Sequence, residues 1–126
     1  MKLILFVIRI AKMNETKKAL SDAGLPSFTA SGVLGRGRGR GIGPNYEQVL
    51  KDSETKDVLK EYGPEPRLKS KRMITLIVSD DKKDHAVETI IKVNRTNNSG
   101  DGKIFVIETI DAVRVRTGER GDLVLD

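Results

Sequence analysis

Apolar residues in this chain gather into runs of strand length at about 2–10, 27–35, 73–78, 103–109 and 111–116. Between the first two runs, and again between the third and fourth, they fall at helical spacing instead. The first helix is predicted over 13–23: Asn14 is placed to cap it, Ala19, Leu20 and Ala23 form its apolar stripe, and Gly24 with Pro26 ends it. The second takes Asp80 or Asp81 as its cap and carries Ala86, Val87, Ile90, Ile91 and Val93 as its stripe, before the Asn97-Asn98-Ser99-Gly100 turn cluster. The order is βαββαβ with one extra short strand. It closes into a split βαβ sheet with both helices on one face, a ferredoxin-like α+β domain.

Helices on one face leave the other bare, and the strand residues that point there are largely apolar. A single copy would expose too much apolar surface, which predicts a homo-oligomer that buries sheet faces against one another and lines its subunit clefts with strand ends and loops. The run Met1–Ile10 reads as a buried strand rather than a leader, because Arg9 interrupts it, a lysine-rich helical pattern follows and no small-residue cleavage site appears. Nothing is long enough to span a membrane, and the cytoplasm is the expected location.

At 126 residues the chain reads as one domain, 1–126, able to bury a modest core without staples. It has no cysteine and one histidine, which excludes a thiolate metal site and a cysteine nucleophile. His85 sits near a helix start beside acids and reads as solvated, and the carboxylates are scattered over caps and exposed faces. No catalytic or metal-ligating residue is assigned, and the chain reads as a non-enzyme. Its net charge of +5 is unevenly held: residues 36–72 contain ten basic and six acidic residues, the remainder thirteen and twelve.

The chemistry concentrates in Gly100-Asp101-Gly102-Lys103-Ile104-Phe105-Val106 and Ala112-Val113-Arg114-Val115-Arg116-Thr117-Gly118-Glu119. On a strand, Arg114 and Arg116 share a face. Two guanidiniums beside a lysine at a glycine turn make an anion pocket, because Arg and Lys match phosphate oxygens and the flexible backbone offers N–H donors. A phosphorylated ligand follows. The competing reading of the arginines is a surface salt-bridge row with nearby acids. Arg36, Arg38 and Arg40, interleaved with glycines, also fit an RNA-binding ferredoxin-like domain, but aromatics are only 4% of the chain and supply no stacking platform.

These motifs resemble the C-terminal signature of the PII nitrogen-regulatory signal-transduction proteins. The resemblance runs through nearly the whole chain, including the first strand and helix, Gly35-Arg36-Gly37-Arg38 and Lys71-Arg72-Met73-Ile74. Asn14-Glu15-Thr16-Lys17, Gly24-Leu25-Pro26-Ser27-Phe28-Thr29, Lys92-Val93-Asn94 and Arg116-Thr117-Gly118-Glu119-Arg120-Gly121 look most like the nitrogenase-linked subgroup of methanogens and some bacteria. The resemblance implies a trimer with ATP or ADP at each subunit junction and 2-oxoglutarate beside ATP with magnesium. It implies that Arg38, Lys103, Arg114 and Arg116 contact polyphosphate, that Gly100 and Gly102 offer backbone donors, that Thr29, Gly35 and Gly37 approach the nucleotide, and that Lys71 meets a 2-oxoglutarate carboxylate. Two positions depart from the family pattern. Gly39 stands where magnesium-chelating members carry glutamine, so magnesium and 2-oxoglutarate either bind more weakly or rely on ATP phosphates and backbone. Thr75 stands where a glutamate commonly contacts adenine.

Residues 36–70 correspond to the family's long, mobile T-loop. Its modifiable tyrosine has no counterpart sequence here, so uridylylation is not transferred to Tyr46 or Tyr62. Tyr46, Val49, Leu50, Val58, Leu59 and Tyr62 fall mostly on one helical stripe that Gly63-Pro64 would stop, which reads as a partner-docking helix or one that packs on its own trimer. The subgroup implies dinitrogenase as the target and allows a mixed oligomer with a paralogue; other branches of the family act on an ammonium channel or glutamine synthetase.

Overall fold

The computed structural model describes residues 1–37 and 68–126. In chain order these form β1 (Lys2–Ile8), α1 (Met13–Asp22), β2 (Thr29–Gly35), β3 (Lys69–Val78), α2 (Lys83–Asn94) and β4 (Lys103–Glu108). The four strands make one sheet in the order β2-β3-β1-β4, with every pair antiparallel. This is the predicted ferredoxin-like α+β arrangement.

The pleat explains the core. Ile4, Phe6 and Ile8 of β1 alternate with Leu3, Leu5 and Val7, and Ile74, Leu76 and Val78 of β3 alternate with Met73, Thr75 and Ile77; the first of each set is buried under the helices. Leu20 and Leu25 come in from α1 and its end, Ala86 and Ile90 from α2. Each of these side chains larger than alanine contributes about 1.5–3 kcal/mol by leaving water, and six of the ten come from the two central strands, which therefore dominate the hydrophobic term. No residue of β2 is buried. That strand is held mainly by its ladder to β3.

The first helix ends as its sequence dictates: Gly24 takes φ 79°, the Leu25 N–H closes on the Leu20 carbonyl at 2.8 Å, and Leu25 turns back into the core. Its start differs from expectation. Both helices are preceded by a short 3-10 turn, Ile10–Lys12 and Asp80–Lys82, and neither Asn14 nor Asp80 nor Asp81 provides a side-chain cap. Asn14 lies inside α1, and Asp80 is drawn instead to the Met1 ammonium at 2.9 Å.

The extra strand at 111–116 is also corrected. After β4 the segment folds on itself, with a single bridge between Val113 and Arg120, the Gly118 N–H on the Arg114 carbonyl at 2.7 Å and Gly118 at φ 76°. Beyond the edge of a four-stranded sheet it pairs with itself. β3 begins at Lys69, so the last two residues of the predicted 36–70 loop are strand. The stripe from Tyr46 to Tyr62, Arg40 and Gly39 lie outside the described residues.

Candidate anion-binding site

At the end of the sheet where β1 finishes and β3 and β4 begin, a cleft of about 360 Å³ opens. Gly35, Gly37, Lys71, Gly100, Gly102 and Lys103, all assigned from the sequence, line it together. Three other lining residues were missed: Val7, Arg36 and Phe105. Strand alternation could have found two of them, since Val7 and Phe105 share a face with Lys103.

The glycine turn supplies the backbone. Gly100 and Gly102 sit at φ 92° and 114°, and Asn97 at 67°. A turn in which left-handed residues are interleaved with right-handed ones is the kind of backbone whose N–H groups can form an anion-receiving concavity. Lys71 leans on the turn, its ammonium donating to the Gly100 carbonyl at 3.3 Å. Burial, reinforced by the Arg9 and Lys69 charges, pushes the Lys71 pKa below the usual lysine value against a smaller opposing pull from Asp101. Among the described residues neither Lys71 nor Lys103 forms an ion pair. Among the described residues the cleft therefore presents lysine charge without an ion-pair partner, to which a phosphate or carboxylate is complementary.

The remaining assigned residues lie elsewhere in the chain. Thr29 pairs with Thr75, four ladder positions from the Val33–Lys71 pair, and lines a second cleft of about 440 Å³ with Leu3, Ile77, Leu125 and Asp126. Arg114 and Arg116 follow β4, which carries the chain roughly 17 Å away from the glycine turn at strand rise. They are not on a strand and do not meet Lys103 within one chain. Arg114 bonds Glu119 at 2.8 Å, as the salt-bridge reading anticipated, and Arg116 has no ion pair among the described residues. Arg38 lies outside the described residues. His85 is exposed, with its ring 3.2 Å from the Ala23 carbonyl.

The model of the family described as nitrogen regulatory protein P-II matches residues 1–119. The chain belongs to the P-II family. A relative named nitrogen fixation nifHD region GlnB-like protein 2, from Methanobacterium ivanovii, is 46% identical over 97% of both chains. Proteins of the same name from Methanococcus maripaludis and, for the nifHD1 region, Methanosarcina barkeri are 41% and 39% identical, each over 99% of this chain and at least 99% of the relative. The general role of this P-II chain is thus regulation of nitrogen metabolism, and these three relatives carry names of the nitrogen-fixation region, as the subgroup motifs indicated. Among its described residues no helix is long and apolar enough to cross a membrane.

Proposed function

We propose that this P-II chain works as a trimer that binds ATP or ADP at each subunit junction and 2-oxoglutarate beside ATP, and that ligand state sets whether its 36–70 loop docks on dinitrogenase. One observation carries the reading: six assigned residues converge on a cleft at one end of the sheet whose two lysines form no ion pair among the described residues, while Thr29, Arg114 and Arg116 stand apart from it in the same chain. A cyclic head-to-tail contact brings one protomer's cleft to its neighbour's arginine loop.

The surfaces support such a ring. Phe105 and Ile107 on the bare face are about half exposed, facing Leu5 and Leu3 across the ladder, and β2 is unburied on both faces. The nitrogen-fixation names of the relatives support nitrogenase as the regulated system. A ligand shifts the loop only by binding its two arrangements unequally.

Calorimetry with ATP, alone and with 2-oxoglutarate and magnesium, tests the sensor reading; an absence of ATP binding removes it. Capture from cells grown with and without ammonium tests the target. Recovery of an ammonium channel or glutamine synthetase in place of dinitrogenase would move the protein to another branch of the same regulatory scheme.

A further inference from the structure

Beneath the glycine turn lies a carboxylate that nucleotide contact leaves without a role. Asp101 Oδ2 accepts the backbone N–H groups of Thr96 at 2.7 Å and Asn97 at 3.0 Å, and Oδ1 accepts the Thr96 hydroxyl and the Arg9 guanidinium. Arg9, just past β1, also donates to the Ser99 carbonyl at 2.8 Å. One side chain thus ties the beginning of the 96–103 segment to its end, and Arg9 ties both to the central strand. That segment holds three positive-φ residues, Asn97, Gly100 and Gly102. Two of them are glycines, whose backbone freedom is the largest to be lost on ordering. The same carboxylate engages Arg9, so among the described residues the cations left to face the cleft are Lys71, Lys103 and Arg36.

We propose that Asp101, with Arg9, is a positioning residue that presets the Gly100–Lys103 turn for a polyphosphate. This rests on the nucleotide reading above. The side chain touches no ligand; it holds the backbone donors and the root of Lys103 where phosphate oxygens would arrive, so that binding does not have to order them.

The test compares adenosine, ADP and ATP on the intact wild-type protein and on Asp101→Asn and Arg9→Gln. An asparagine has one acceptor oxygen in place of two and no charge, and cannot serve all four donors. Preorganisation predicts that Asp101→Asn weakens ATP by about tenfold or more, ADP less, and adenosine by less than about twofold. It also predicts that the Thr96 and Asn97 amides, which donate to the carboxylate, exchange hydrogen about tenfold faster or more in the ligand-free variant. Unchanged ATP affinity, unchanged exchange, or an equal loss for adenosine and ATP overturns the proposal. A wild-type protein indifferent to ATP removes the nucleotide reading and this role with it, whereas wild-type binding with an unaffected variant removes this role alone. Should Asp101→Asn fail to fold, Arg9→Gln removes the guanidinium's bonds to Asp101 and to the Ser99 carbonyl, Thr96→Val removes the hydroxyl's bond to Asp101, and both are read by the same ligand series.

Discussion

Gly102 lies against the backbone of Val7 so closely that a Cβ built on it would stand 2.0 Å from the Val7 carbonyl oxygen. Its φ of 114° adds to the constraint, since side-chain-bearing residues avoid that region. Gly102→Ala is therefore expected to cost about 2 kcal/mol or more, by strain and by pushing β1 from the turn. Gly118 offers the contrast: φ is 76° but nothing stands within 4 Å of its added Cβ. Gly118→Ala should cost only about 1 kcal/mol. Urea unfolding of the two variants beside the wild type checks the ranking.

A second expectation concerns the seam between the helices. Asn94, 5% exposed at the end of α2, donates from Nδ2 to the Thr16 hydroxyl at 3.1 Å and to the Ile90 carbonyl at 3.0 Å. Thr16 in turn donates to the Lys12 carbonyl at 2.7 Å. Asn94→Ala should cost about 2 kcal/mol through lost packing and hydrogen bonds, and Thr16→Val about 1 kcal/mol. Because the two groups touch, the double variant should lose less than the sum. Denaturant melts of all four proteins measure the coupling, and strict additivity would show that the bond contributes nothing.

Periodicity made the sheet and the helices legible. The apolar run along Lys2–Ile8 and the 3.6-residue stripe through Ala86 and Ile90 are local patterns; the stripe names its buried face, whereas the unbroken run marks a strand without saying which side meets the helices. What failed was capping and pairing. A cap requires a side chain aimed at free amides, and the 3-10 turns preceding both helices moved those amides away from Asn14 and Asp81. The stretch at 111–116 has strand composition, but a strand needs a neighbour, and beyond β4 this chain offers none. The lysines and glycines of the cleft were legible because one end of one sheet brings them together, whereas Arg114 and Arg116 lie apart from them in the chain and would join them only across copies of the proposed trimer. Arg9 and Asp101 gave no sequence signal as a pair, being joined only by the fold.

Acid should probe Asp101 directly. The Thr96 hydroxyl, the Arg9 guanidinium and the Thr96 and Asn97 amides hold its carboxyl far below the usual carboxylate range. The folded chain binds that proton less tightly than the unfolded chain, so the contribution is full above an unfolded pKa of about 4 and is lost as pH falls below it. The melting temperature of Asp101→Asn should lie furthest below wild type near pH 7 and converge on it toward pH 2. A gap that is constant with pH would mean the carboxylate charge contributes nothing.

Lys71 should give the opposite signature in binding. Burial and the Arg9 and Lys69 charges lower its pKa in the free protein, and a bound carboxylate raises it again. Binding therefore takes up a proton at alkaline pH, and affinity for 2-oxoglutarate in the presence of ATP and magnesium should fall as pH rises through the free-state Lys71 pKa. Lys71→Met should bind about tenfold more weakly at pH 7, consistent with one lost charge-assisted hydrogen bond, and should lose the alkaline decline. Calorimetry in two buffers of different ionisation enthalpy counts the protons.

Ile107 allows assembly and ligand binding to be separated. It is 49% exposed on the bare face, opposite Leu3, and does not line the lysine cleft. Glutamate there would place an unpaired charge where a trimer buries its sheet, at a cost of several kcal/mol per site, enough to favour monomers at micromolar concentration. Each monomer would keep Lys71, Lys103 and the glycine turn intact. If Arg114 and Arg116 reach the nucleotide only from a neighbouring copy, Ile107→Glu should abolish ATP binding, and Arg114→Ala with Arg116→Ala should do the same without breaking up the assembly. Light scattering and calorimetry on the same sample decide it: a folded monomer that binds ATP as tightly as wild type would mean that one chain holds the whole site and that the arginine loop acts elsewhere.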